Sequence, residues 1–115
     1  MNMLTQTLKQ EISQLEANLC SAFADPTRIL ILYTLNEHSR NVTELTNVLG
    51  TTQSTTSRHL KILRERGLVN TTRQGTTVTY ELADSRLIKA LDILRDVLRD
   101  NITVKANLVA EFESK

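Results

Sequence analysis

Aromatic side chains are scarce: Phe, Tyr and Trp make up 3% of the 115 residues, and Trp is absent. The core must therefore be aliphatic, built from Leu, Ile and Val within a hydrophobic fraction of 40%. A chain of this length reads as one domain, residues 1–115, and a small aliphatic core is marginal alone. Burying more apolar surface against a second copy is a common remedy. The single cysteine, Cys20, excludes an intramolecular disulfide and suits a reducing compartment. With three glycines in all, and no GxSxG or Cys/His pair, neither a phosphate-cradling loop nor a nucleophile site is expected. The chain is thus expected not to be an enzyme and to need no cofactor. No stretch approaches the roughly 20 apolar residues of a membrane span. The opening MNMLTQTLKQEISQL has neither the basic nor the apolar run of a secretory signal, so a cytoplasmic location without a membrane partner is expected.

A formal net charge of +1 hides an uneven distribution. Residues 53–75 hold Arg58, Lys61, Arg64, Arg66 and Arg73 against Glu65 alone, while the segments on either side are mildly acidic. A basic island of this kind is either a solvated helix face or a local footprint for a polyanion.

Hydrophobic periodicity divides the chain into helices and one hairpin. Leu4, Leu8, Ile12, Leu15 and Leu19 form a stripe that predicts an amphipathic helix over 3–22. Asp25 and Pro26 fit the N-cap and first position of a second helix. Its Ile29, Leu30, Leu32, Tyr33 and Leu35 make it apolar nearly all round, as for a central buried helix. A helix-turn-helix is predicted over 41–67. Asn41 and Glu44 have capping-box spacing, Gly50 ends the first helix, Thr52 caps the second and Gly67 stops it. Val42, Leu45, Val48 and Leu49 are expected to face inward from the first helix, and Leu60 and Leu63 from the second, with Thr56 beside them. The period then shifts towards 2. Residues 68–82 read as a hairpin, the wing, with its turn at Arg73-Gln74-Gly75. A last helix over 84–113 carries Leu87, Leu91, Leu94, Leu98 and Ile102 on one face, and its register blurs beyond Asn101.

The expected fold is mainly α with a small β-hairpin, in the order α-α-α-α-β-β-α of a winged helix-turn-helix. Its functional signal lies on the fourth helix. A helix that reads the major groove needs a face of hydrogen-bonding side chains, because base edges present donors and acceptors. Gln53, Ser54, Thr55, Ser57, Arg58, His59, Lys61 and Arg64 supply such a face. Gln can bond adenine bidentately, and Arg can do the same to guanine. Arg73, Gln74, Gly75 and Thr76 at the hairpin tip would reach the backbone or minor groove alongside. Self-capping alone accounts for Thr52 but not for this many polar and basic residues.

Three runs, FADPTRILILYTL, VTELTNVLGTTQSTTSRHLKILRERGLV and RQGTTVTYEL, resemble the ArsR/SmtB family of transcriptional repressors. Matched motifs cover roughly residues 19–82, and the flanking helices match in placement only. The resemblance implies a homodimer built on the first and last helices, with Leu4, Leu8, Leu15, Leu87, Leu91, Leu94 and Leu98 at its interface. It also implies binding to double-stranded DNA at a palindromic operator, and release by an inducer that the sequence does not identify.

Two sensing chemistries of that family can be checked residue by residue. Where relatives carry a CxC-type thiolate pair, this chain has Glu44-Leu45-Thr46, and no histidine follows His59. Metal sensing through the familiar family sites is therefore not expected. Asp92, Asp96 and Asp100 form a carboxylate stripe, but Arg95 and Arg99 lie within helical reach and predict a salt-bridged solvent face. Cys20 is either a small core residue, the commoner use of a lone Cys, or a redox-active thiol. The alternative to a DNA-binding regulator is a winged-helix protein-interaction module, which would have no need of the basic cluster around Gln53 and Ser57.

Overall fold

The computed structural model describes residues 5–113. Its contacts divide the chain into two compact units, residues 1–84 and 85–115.

In the first unit, local end signals set the helix boundaries. Thr5 caps α1 (Gln6–Glu11) by accepting from the Leu8 amide, and the helix continues through a π-helical segment (Ile12–Glu16) into α2 (Ala17–Ala22). The stripe predicted for one uninterrupted helix thus crosses a wider turn. Leu8 and Leu15 lie exposed along it, and Leu4 lies outside the described residues. Asp25 Oδ1 accepts from the Thr27 amide and Pro26 opens α3 (Pro26–Glu37), as expected from an orphan-donor position that Pro tolerates. Ile31, Leu32 and Leu35 are buried, but Leu30 is 54% exposed, so α3 is not covered all round as predicted.

Asn41 and Glu44 form the expected capping box at α4 (Val42–Leu49), each side chain bonded to the other's backbone N–H. Gly50 ends that helix at φ +64°, a left-handed conformation that favours glycine. Only Leu45 is fully buried in α4, and Val48 is 54% exposed, against the expectation of an inward position. At about 100° per residue, Val42, Leu45 and Leu49 share one face, whereas Val48 falls beyond its far edge.

Thr52 accepts from the Thr55 amide and starts α5 (Gln53–Glu65). At its other end the Gly67 amide donates to Arg64 and the Leu68 amide to Leu63, a Schellman motif closed by the buried Leu68. Leu60 and Leu63 have no exposed surface, and with Ile31, Leu32 and Leu45 they form the all-aliphatic centre of this unit. Burying each such side chain contributes about 1.5–3 kcal/mol.

The hairpin comprises β2 (Val69–Gln74) and β3 (Thr77–Leu82), antiparallel from Val69 opposite Leu82 to Gln74 opposite Thr77. Gly75 and Thr76 form its tip, with Gly75 at φ +62°. The turn therefore lies one residue later than predicted, and Arg73 belongs to the strand, opposite Val78. A third strand went unseen in the sequence. Residues Arg40–Asn41 form β1, which pairs with Tyr80 and Thr79, giving the order β1-β3-β2.

The second unit contains one 28-residue helix, α6 (Arg86–Glu113), which runs on through the segment where the sequence register blurs. Ile88 and Leu91 are buried, and Leu87 is half-buried. From Ile93 onward the large apolar residues are exposed, Leu94 and Leu98 each at 53% and Phe112 at 79%. Asp92–Arg95 and Asp96–Arg99 form ion pairs of 2.9 Å each.

Candidate nucleic-acid interface

The helix-turn-helix is pinned by hydroxyl groups. Thr46 Oγ1 on α4 donates to Thr56 Oγ1 on α5 at 2.9 Å, and Thr56 in turn donates to the Thr52 carbonyl at 3.0 Å. Thr56 has no exposed surface, so this chain of hydroxyls satisfies a polar group in the core and sets the contact between the two helices. Across the outer edge of the turn, Gln53 Nε2 donates to Thr43 Oγ1 at 3.3 Å.

With Thr56, His59, Leu60 and Leu63 turned inward, helical geometry leaves the opposite side of α5 in solvent. Gln53, Ser54, Ser57, Arg58, Lys61 and Arg64 are all exposed there. The face thus combines amide and hydroxyl groups in the first turns with three cations further along. Thr55 is half-buried, and its hydroxyl accepts from Thr52 at 2.9 Å, so it belongs to the cap. Arg73, Gln74, Gly75 and Thr76 are exposed at the end of the hairpin.

His59 departs from the expectation of a DNA-facing side chain. It is 4% exposed, and its Nδ1 lies 3.2 Å from Arg28 Nη1. Arg has only donors, so Nδ1 accepts and the ring proton sits on Nε2, which faces Asp25 Oδ2 at 3.9 Å. Burial holds the imidazole below its ordinary pKa, with Asp25 opposing and Arg28 and Arg58 reinforcing the shift. The Thr27 amide, through its hydrogen bond, holds the Asp25 carboxyl below its usual value, helped by His59 and Arg28. His59 is consequently neutral near pH 7, a packed joint between α5 and the start of α3.

Cys20, for which core packing was the commoner reading, is exposed on α2 as a free thiol. Among the described residues no group of three or more His, Cys, Asp or Glu side chains could hold a metal ion. No described helix is long and apolar enough to cross a membrane. The sequence reading missed Thr43 and Thr46, whose bonding partners lie ten residues further on. It also missed Arg28, which stands in the quoted DPTR run with no role assigned.

Residues 25–71, which contain this helix-turn-helix, match the family model described as bacterial regulatory protein, arsR family. Nodulation protein NolR of Rhizobium meliloti is 36% identical over 81% of this chain and 76% of its own length. The chain belongs to the ArsR family. The HTH-type transcriptional regulator CmtR of Mycobacterium bovis is 45% identical over 71% of this chain and 70% of its own. Among solved structures, NolR from Sinorhizobium fredii superposes with a TM-score of 0.72 at 35% identity, covering 84% of this chain and 96% of that one. This ArsR-family member is accordingly a winged helix-turn-helix, DNA-binding regulator of transcription, in a family of regulators and not of enzymes.

Proposed function

We propose that the protein is a cytoplasmic repressor that binds a palindromic operator as a homodimer. Each protomer sets the exposed face of α5 in the major groove. The observation that carries this reading is that face itself: Gln53, Ser57, Arg58, Lys61 and Arg64 stand in solvent while Leu60 and Leu63 are buried. Gln53, Ser57 and Arg58 are the base-reading candidates, since the N-terminal part of a recognition helix meets base edges. Ser54, Lys61 and Arg64 suit phosphates, and Arg73, Gln74, Gly75 and Thr76 meet the backbone or minor groove beside them. Thr55 acts through the cap and His59 through packing.

Helices at both ends of the chain carry the homodimer interface. Exposed Leu8 and Leu15 near one end, and Leu94 and Leu98 near the other, support this part of the reading. A two-fold dimer presents two recognition helices related by symmetry, and hence reads an inverted repeat. It does not sense metals through the familiar family sites, whose ligand motifs the sequence lacks. The whole of 1–115 then acts as one DNA-binding domain, with 41–67 as reader, 68–82 as wing and 3–22 and 84–113 as dimerisation helices.

The test is a fluorescence-anisotropy titration of a duplex from upstream of the protein's own gene, over a salt series and against scrambled competitor. Sequence-preferring binding that weakens steeply with salt is expected, because phosphate contacts release counterions. Arg58→Ala should cost about 1–3 kcal/mol of specific binding, the worth of one bidentate base contact. Lys9→Ala should cost far less, and equal losses would overturn the assigned face.

A further inference from the structure

Two arginines close to the recognition helix are aimed away from its exposed face, at backbone carbonyls of α2. Arg28 on α3 spends a different nitrogen on each of three partners. Nε donates to the Ala22 carbonyl at 2.7 Å, Nη2 to the Ser21 carbonyl at 3.4 Å, and Nη1 to His59 Nδ1 at 3.2 Å. Arg66, the C-cap residue of α5, donates from Nη1 to the Asn18 carbonyl at 2.9 Å across 48 residues of sequence. Ser21 and Ala22 are the last residues of α2, where the helix dipole favours a cation, and the Ser21 carbonyl also accepts from the Ala24 amide at 3.3 Å. α5 is thus tied to α2 at mid-length through His59 and Arg28, and at its end through Arg66.

We propose that Arg28 and Arg66 are positioning residues that hold the recognition helix against α2, and that neither contacts DNA. The planar guanidinium is well matched to such a bridge: at Arg28 its rigid fork sends separate donors to a helix end and to an imidazole, a fixed geometry that the rotatable point charge of an ammonium does not supply. His59 is the receiving group on α5, and only its neutral form offers Nδ1 as an acceptor. Any displacement of α2 is therefore transmitted to the middle and the end of the helix that reads DNA. This inference rests on the DNA-binding reading above, and the experiment separates the two.

The full-length protein is used to enrich a duplex from a random library, and affinities for that duplex and for a scrambled one are measured over a salt series. Failure to enrich any sequence overturns the DNA-binding reading itself. Given enrichment, Arg28→Lys and Arg66→Ala are each expected to weaken binding to the selected duplex roughly 10-fold or more, about the worth of one misaligned base contact. Scrambled-duplex affinity and the salt slope should stay at wild-type values. Arg28→Lys and Arg66→Ala variants that bind the selected duplex like wild type would overturn the proposal. So would alanine variants whose log–log salt slope falls by ~0.9 per substitution, the mark of a lost phosphate contact. Arg66 is on the exposed surface, so its variants decide the matter even if Arg28→Lys lowers the thermal midpoint. A general loss of stability would weaken both duplexes alike, whereas misplaced base contacts weaken only the selected one.

Discussion

The helices α5 and α6 are both amphipathic, yet they leave opposite kinds of surface uncovered. In α5 the aliphatic residues Leu60 and Leu63 are wholly buried, and what remains in solvent is amide, hydroxyl and cation, with Glu65 the one carboxylate among them. In α6 the large apolar residues from Ile93 to Phe112 remain in solvent together with the Asp–Arg pairs. The first helix has satisfied its hydrophobic demand within its own chain, and its free face suits a polyanion. The second has not, and a contiguous exposed apolar patch marks an interaction surface. The lesson is that amphipathicity in sequence does not say which face is finished; burial in the folded chain does.

That contrast can be broken at either helix. The largest effect is expected from Leu60→Ala, which opens a cavity in the α5 core and should lower the unfolding free energy by about 2–5 kcal/mol in a denaturant titration. Leu98→Ala, at a half-exposed site, should change it far less when measured at a dilution where protomers are separate. Next, Leu94→Glu with Leu98→Glu should halve the sedimenting mass and weaken operator binding. An unchanged mass would remove that stretch of α6 from the dimer interface. Thr56→Val sharpens the comparison inside α5. It keeps the side-chain shape but deprives Thr46 of its acceptor, at an expected cost of about 0.5–1.5 kcal/mol. No loss would show that packing alone holds α4 on α5.

The smallest effect concerns pH. The folded chain holds His59 below its ordinary pKa of 6.5, so on acidification the unfolded chain takes up a proton first. By linkage, stability is at its full value above pH 6.5 and falls as pH drops through that value towards the lower folded pKa. Thermal midpoints compared at mildly alkaline and mildly acidic pH should show this loss, and His59→Gln should reduce it. An identical loss in the variant would assign the acid sensitivity to other groups.

Much of the first unit could be read from local chemistry. Asp25-Pro26, the Asn41–Glu44 box, Gly50, Thr52 and Gly67 each satisfy orphan backbone groups within a few residues, so their spacing alone announces the helix ends. What escaped the sequence depends on distant partners. β1 is two residues long and is a strand only because Tyr80 and Thr79 pair with it. His59 stands between Arg58 on the outer face and Leu60 in the core, and its side is decided by Arg28, 31 residues away. Val48 is apolar but falls just outside an arc whose centre depends on how α4 rolls against α3 and α5. The outward face of α5 was legible residue by residue, except at Thr55 and His59, which are half-buried and buried.

The short strand β1 carries one more implication. Asn41 both pairs with Thr79 in the sheet and caps α4, so the sheet and the helix-turn-helix meet in a single residue with no slack between them. Mechanically this is a weld and not a hinge. A protomer that turns its helix-turn-helix is therefore expected to carry the hairpin with it. If the protein binds as the proposed dimer, half-sites set further apart are expected to be met by a change in the spacing between protomers, with the reach of each one unchanged.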